Sequence, residues 1–352
     1  MRNLIDILDL STEEIDSLID TASDMIADPK KYSTACAGRI LGALFFEPST
    51  RTRLSFTSAM MSLGGNVLGF DQAGSSSVAK GETVSDTVRM VSAYTDIIAM
   101  RHPKEGAPIV AKKSSTVPII NAGDGGHFHP TQTLTDLLTI KRKFGRLDNL
   151  VVGICGDLKY GRTVHSLIAA MSRYENVSFV LISPRELMLP DYVKSEFLMG
   201  KEYREVTSLE EEIGALDILY MTRIQGERFE DKAEYEKLKD SYILTADKLA
   251  GAKETLSIMH PLPRVNEISC DVDEDPRADY FTQAANGRYI RMALILMLIS
   301  EKDKADKSAV GEENPHLSCT NPHCITSSER GIKKLFSGTK CFYCDAEAVK
   351  NK

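Results

Sequence analysis

Nowhere in its 352 residues does the chain hold an apolar run near the ~18 residues that a membrane-spanning helix requires. The nearest stretch, Ile290 to Ile299, is too short and carries Arg291. The opening Met-Arg-Asn-Leu-Ile-Asp lacks the apolar core and cleavage site of a secretory leader. Positive charge is not in excess: the formal net charge is −7 and the pI about 5.6, which argues against wholesale nucleic-acid binding. Over most of the chain cysteine is sparse. Cys36, Cys155 and Cys270 are scattered, as small core residues are in a reducing compartment. These absences lead us to expect a cytoplasmic globular protein with no membrane and no nucleic-acid partner.

What is present is an ordinary globular composition, 42% hydrophobic and 26% charged. The length calls for two domains and an appendage. The most informative stretch runs from Ala43 to Phe56. The apolar segment Ile40 to Phe46 has the length of a buried parallel strand, and Glu47-Pro48 breaks it. Ser49, Thr50 and Thr52 are helix-capping residues. An amphipathic run follows (Leu54, Phe56, Ala59, Met60, Leu63), stopped by Gly64-Gly65. Free backbone N–H groups, a helix dipole and two arginines then converge on one place, which suits a phosphate or another oxyanion.

The rest of the chain repeats the strand-then-helix alternation. Strands are expected at Val67–Phe70, Asp96–Met100, Pro118–Asn121, Asn149–Gly156, Val177–Ile182, Asp217–Met221 and Thr255–Met259. Helices are expected at Thr83–Tyr94, Thr133–Phe144 and Tyr280–Ile299. The fold class is therefore α/β: two doubly wound parallel-sheet domains joined by long helices, plus a small C-terminal four-cysteine zinc-ribbon-like domain. The glycine turn at Gly156 lacks the G-x-G-x-x-G spacing of a dinucleotide site. Arg101 ends one strand, where ligands of α/β sheets bind. Arg223 and Gln225, two apart after another strand, lie on one face of an extended segment and suit a carboxylate.

Beyond the charged stretch 301–315, read as a linker, stand Cys319-Thr-Asn-Pro-His-Cys324 and Cys341-Phe-Tyr-Cys344. Two close thiol pairs at these separations make a closed, structural Zn2+ site over residues 316–352, folded only with metal bound. A closed tetrahedral site leaves zinc no part in the chemistry. Lys333, Lys334, Lys340, Lys350 and Lys352 give some weight to a remote rival, a zinc ribbon that binds nucleic acid.

Ser49-Thr-Arg-Thr-Arg53, Lys80-Gly-Glu-Thr83, Arg101-His-Pro103, His129-Pro-Thr-Gln132, Gly161-Arg-Thr-Val-His165 and His260-Pro-Leu-Pro263 occur in that order. Together they resemble the aspartate and ornithine carbamoyltransferases over essentially the whole chain. The resemblance implies a carbamoyl-phosphate-binding domain at 1–132 and 282–300, and an aspartate-binding domain at 133–281. Carbamoyl phosphate falls to Ser49, Thr50, Arg51, Thr52, Ser76, Lys80, Arg101, His129, Gln132, Pro261 and Leu262. Thr52, Arg101 and His129 have the catalytic role of donating to the carbonyl oxygen, and His127 is left as a bystander. Aspartate falls to Lys80, Arg162, Arg223 and Gln225. The implied assembly is a homotrimer with active sites at subunit interfaces, where Ser76 and Lys80 reach into a neighbour's site; no catalytic cofactor is implied. Ornithine enzymes carry a cysteine in the loop that here reads His260-Pro261-Leu262-Pro263, and an arginine at 223 would repel ornithine. Ornithine or another amino acid remains the alternative acceptor. The tail resembles the zinc domain of the separate regulatory chain of bacterial aspartate carbamoyltransferases, without room for its nucleotide-binding half. It is expected to pack on a catalytic domain, its own or a neighbour's.

Overall fold

The computed structural model describes residues 2–75, 77–224, 235–236, 238, 241–301 and 311–350. Ser76, Gln225 and most of the expected linker lie outside them. The chain divides into two compact units, Met1–Thr131 with Arg288–Lys352, and Gln132–Gly287. No helix among the described residues is long and apolar enough to cross a membrane.

In the first unit, near-continuous apolar segments form β1 (Ile40–Phe45), β2 (Asn66–Phe70), β3 (Ile97–His102) and β4 (Ile119–Asp124). All pair in parallel, in the order β2-β1-β3-β4. Such runs suit strands buried on both faces: β4 is buried throughout and β1 in all but its first residue. The accompanying helices are α1 (Thr12–Ala27), α2 (Thr50–Ser62), α3 (Val84–Ser92) and α4 (Ala107–Ser114). Ser11 and Glu14 form a reciprocal capping box at the start of α1. Because β1 is followed by β2 on one side and flanked by β3 on the other, the strand order reverses between β1 and β3. Their carboxyl ends form a switch-point crevice.

The second unit holds β5 (Val151–Cys155), β6 (Ser178–Ile182), β7 (Tyr203–Val206), β8 (Ile218–Met221) and β9 (Ser257–Met259). They are parallel in the order β7-β6-β5-β8-β9, with the reversal between β5 and β8. With them come α5 (Pro130–Phe144), α6 (Arg162–Met171), α7 (Asp191–Phe197) and α8 (Tyr280–Ser300); the chain passes between the units within α5 and within α8. Among the elements with no counterpart in the sequence reading are β7 and α4. The edge strand β7 reads Tyr-Arg-Glu-Val and is mostly exposed, so it shows no apolar run. Helix α4 is only 8 residues long, too short for its period to stand out.

The tail contributes β10 (Glu312–Glu313), β11 (Leu317–Cys319), β12 (Leu335–Ser337), β13 (Lys340–Cys341) and β14 (Ala348–Lys350). These make two small antiparallel sheets, β10-β12-β13 and β11-β14. Glu312 and Glu313, read as linker, instead pair with Phe336 and Leu335. The tail does not stand apart. Ile325, Leu335, Phe336 and Tyr343 share one apolar core with Val84, Val88, Ala107, Val110 and Ala111 of α3 and α4.

Gly156 closes the switch point of the second sheet. Its φ is +121°, and a Cβ there would lie 2.4 Å from the Thr222 carbonyl oxygen and 2.6 Å from its Oγ1. Gly156→Ala should destabilise the chain by on the order of 2 kcal/mol. Calorimetry should register this as a lower thermal midpoint, and an unchanged midpoint would contradict the close approach.

Candidate active site

Of the residues read as phosphate ligands, Ser49, Thr50, Arg51, Thr52 and Arg101 sit at a strand's carboxyl end or just beyond. Glu47-Pro48 ends β1, and Ser49 is the N-cap residue of α2, with its hydroxyl uncommitted to the helix. Amides of the first turn therefore face the β1/β3 crevice with the positive end of the dipole. Thr52 is buried in that turn, at 9% exposure. Phe45 stands opposite Arg101 in the β1–β3 register, and Phe46 N–H donates to the Arg101 carbonyl at 2.9 Å. Arg101 is thereby set against the start of α2.

Two guanidiniums share this space. Burial lowers the pKa of Arg101, an effect Glu47 partly offsets. Burial also lowers that of Arg51, and the charge on Arg101 adds to it. Bringing two partly desolvated cations together is unfavourable until an anion joins them. Arg101 Nε lies 2.8 Å from Glu47 Oε1, but its N–H is not aligned for a hydrogen bond, so the contact is an ion pair. Glu47 escaped the sequence reading, where it served only as a strand breaker.

His129, buried at 6% exposure, follows β4 on a loop organised by Asp124. That buried carboxylate accepts from Gly106 N–H (2.8 Å), Asn121 Nδ2 (2.9 Å) and Phe128 N–H (3.1 Å). Its Oδ2 also lies 3.3 Å from His127 Nδ1. His127, read as a bystander, is in fact held between Asp124 and Asp345 of the tail. Lys80 is exposed at the end of a short 3-10 turn, Ser77–Lys80.

In the second unit, Arg162 opens α6 beyond the glycine turn after β5, and Arg223 follows Thr222 at the end of β8. These strands are neighbours, with Cys155 opposite Met221, so Arg223 and the loop that leads to Arg162 leave adjacent strand ends. The next strand, β9, delivers His260–Pro263. There the buried His260 accepts at Nδ1 from Leu262 N–H at 2.7 Å, so its Nε2 carries the proton donated to Glu267 at 2.8 Å. The carboxylate of Glu267 also accepts from Val265 and Asn266 N–H at 2.9 and 3.1 Å. The loop that carries the Pro261 and Leu262 carbonyls is thus held from within.

Asp136 is the hub that sequence reasoning missed. Fully buried, it accepts from Gln132 Nε2 (2.8 Å), Gln283 Nε2 (2.6 Å) and Tyr220 Oη (3.0 Å). A carboxylate only accepts, so the Gln132 amide must turn its nitrogen inward and its oxygen outward. Gln283 Oε1 in turn accepts from His260 N–H at 2.9 Å. One buried network therefore orients Gln132 and anchors the 260–263 loop. The only signal for it was a polar residue on an apolar helix face.

The Sγ atoms of Cys319, Cys324, Cys341 and Cys344 all lie within 4.8 Å of one another, with Cys319–Cys344 at 3.4 Å and Cys324–Cys341 at 3.9 Å. A tetrahedral ion with ~2.3 Å bonds to sulfur spaces its ligands about 3.8 Å apart. Asn321 N–H donates to Cys319 Sγ and Thr326 Oγ1 to Cys324 Sγ, at 3.4 and 3.2 Å, contacts that favour thiolates. The cluster fits one metal ion.

A helix start beside Arg101 in one unit, and Arg223 and Arg162 beyond neighbouring strands in the other, are chemically suited to anionic groups. Residues 2–142 match the carbamoyl-P binding domain of aspartate/ornithine carbamoyltransferases, and residues 148–298 match their Asp/Orn binding domain. The chain belongs to the aspartate/ornithine carbamoyltransferase family. It is 61% identical over 300 residues to the aspartate carbamoyltransferase catalytic subunit of Clostridium novyi, covering 85% of this chain and 98% of that one. It is 60% identical over 302 residues to that of Lachnoclostridium phytofermentans, with the same coverage. Among solved structures, the catalytic subunit of M. jannaschii aspartate transcarbamoylase matches at 47% identity and TM-score 0.80, covering 87% of this chain and all of that one. Trypanosoma cruzi aspartate transcarbamoylase in complex with carbamoyl phosphate and aspartate matches at 37% identity and TM-score 0.80, covering 84% and 96%.

Asp136→Asn would turn an amide N–H2 toward donors that need an acceptor. It should cost about 2–3 kcal/mol, against about 1 for Tyr220→Phe, which removes a single hydrogen bond. Equal losses in chemical denaturation would rule out the hub.

Proposed function

We propose that the chain transfers the carbamoyl group of carbamoyl phosphate to the amine of L-aspartate, giving N-carbamoyl-L-aspartate and phosphate, in pyrimidine synthesis. The observation that carries this reading is that Arg223, just past β8, and Arg162, at the start of α6, both follow the carboxyl ends of the neighbouring strands β8 and β5. An acceptor with two carboxylates needs two such cations, and cationic ornithine would be repelled by them. The alternative acceptor is thereby disfavoured, and the relatives named above are all aspartate enzymes.

The amine attacks the carbamoyl carbon and a C–N bond forms in a tetrahedral intermediate; the C–O bond to phosphate then breaks, and the amine proton passes to the departing phosphate. As the carbonyl oxygen becomes negative, Thr52, Arg101 and His129 donate to it; a preorganised set of donors is worth most in such a desolvated place. Ser49, Thr50, Arg51, Thr52 and Arg101 hold the phosphate, with Ser76 and Lys80 supplied by a neighbouring subunit of a homotrimer. The outward oxygen of Gln132 and the carbonyls of Pro261 and Leu262 accept from the carbamoyl nitrogen. Arg162 takes the α-carboxylate of aspartate, Arg223 and Gln225 its side-chain carboxylate, and Lys80 assists. In the tail, Cys319, Cys324, Cys341 and Cys344 hold a structural zinc ion, in a module like the zinc domain of the regulatory chain. Four sulfur ligands leave it no open position and no part in the chemistry.

Turnover assayed side by side with aspartate and with ornithine tests the reading, and activity on ornithine alone would overturn it. Arg223→Ala should raise the aspartate KM and lower kcat at least a hundredfold, an effect on the order of 3 kcal/mol, with carbamoyl-phosphate binding nearly intact. Equal weakening of both substrates would remove Arg223 from the aspartate site. Lys80→Ala and Arg51→Ala should each be inactive, yet regain activity when mixed under subunit exchange, because one hybrid interface joins an intact loop to an intact pocket. A mixture that exchanges and stays dead would place Lys80 in its own subunit's site. Metal analysis should give one zinc per chain, absent when all four cysteines are replaced by serine.

A further inference from the structure

The tail touches the first unit at three loops, and each loop carries or adjoins a residue of the proposed site. Glu329 accepts from Val84 N–H through both carboxylate oxygens at 3.2 Å. It thereby supplements the Thr83 cap of α3 by satisfying the first helical amide, directly after the Lys80–Thr83 loop. Glu105, four residues after Arg101, donates its N–H to the His323 carbonyl at 3.1 Å, and its own carbonyl accepts from Ile325 N–H at 2.9 Å. The Glu105 side chain accepts from Asn321 Nδ2 and, at 3.1 Å, from Gly126 N–H in the β4–α5 loop. In that same loop His127 Nε2 lies 3.0 Å from Asp345 Oδ2, while its Nδ1 faces Asp124 at 3.3 Å. His129 is two residues further on.

The fit is close. Gly106 has φ +80°, and a Cβ there would lie 2.4 Å from Tyr343 Cβ and from its carbonyl oxygen. Burial by itself would push the His127 pKa down, but Asp124 and Asp345 raise it to about 10. The ring is thus an imidazolium at neutral pH and donates from both nitrogens. Loops at strand ends have few apolar contacts of their own and order poorly without such ties.

We propose that the tail is a positioning element of the active site: Asp345, through His127, holds the loop that carries His129, and Glu329 holds the helix start that follows Lys80. This rests on the carbamoyltransferase reading above. His127, Asp345 and Glu329 are positioning residues and need not touch substrate. The tail's metal fold thereby sets how well the loops are preformed for carbamoyl phosphate.

The test uses the full-length, metal-loaded protein and three variants. Asp345→Ala should speed hydrogen exchange in residues 123–129 without substrate, and raise the carbamoyl-phosphate KM about tenfold, as a small misplacement does. The aspartate KM should move little. Asp345→Asn, whose amide oxygen still accepts from Nε2–H, should restore most of both. Lys333→Ala breaks only the Lys333–Glu313 pair (2.9 Å) and should change neither. If Asp345→Ala loses its metal, Glu329→Ala decides, with exchange read in residues 82–88. Metal-loaded variants with wild-type exchange, or with faster exchange and wild-type kinetics, would overturn the proposal. A wild-type protein without carbamoyl transfer would instead sink the functional reading, while the exchange data still report whether the tail restrains the loops.

Discussion

Phe45 opposite Arg101 in a parallel pair is the constraint on which the first unit's site depends. Parallel pairing sends the ends of β1 and β3 to the same edge of the sheet. The chain leaving β1 turns into a helix whose unpaired amides face that edge, while β3 ends on a guanidinium. Neither feature alone makes a phosphate site: helix starts and strand-end arginines are common. Held side by side, with the Arg51 pKa lowered by burial and by its neighbour's charge, they set up a repulsion that an anion would relieve. Glu47 moderates that repulsion with one ion pair.

Buried carboxylates do the fine positioning. Asp124 in the first unit and Asp136 in the second each gather donors from several segments, and neither is placed to react. Because an ionised carboxylate can only accept, every group around it must present an N–H or O–H. Flexible side chains such as Gln132 are thereby forced into one orientation. Glu267 does the same for the 260–263 loop through His260. Inside a low dielectric such hubs are costly to disturb, and they give a transferase donors already in place when charge develops.

The tail solves a problem of scale. A module this short cannot bury enough surface to fold alone. It gathers its four cysteines within 4.8 Å of one another and shares an apolar core with α3 and α4. That shared core brings Glu329, Asn321 and Asp345 onto the loops around the site.

Much of this was legible along the chain. Strand-to-helix boundaries were marked by apolar runs broken by Pro, Gly or capping residues, and the site residues cluster at those boundaries because parallel sheets put loops there. The cysteine pairs were legible because each pair is local. What the sequence could not disclose was partnership across distance. His127 looked idle because its second partner lies 218 residues away. Glu47, Asp124, Asp136 and Glu267 looked like ordinary polar residues, and Glu312–Glu313 looked like linker until β12 came alongside. By itself the sequence determined the elements, the fold class and the side chains available for chemistry, since these follow from local periodicity and backbone preference. Only the tertiary structure decided which carboxylate orients which donor and which loops the tail grips. Those choices depend on strand register and shared burial, which join residues that the sequence keeps far apart.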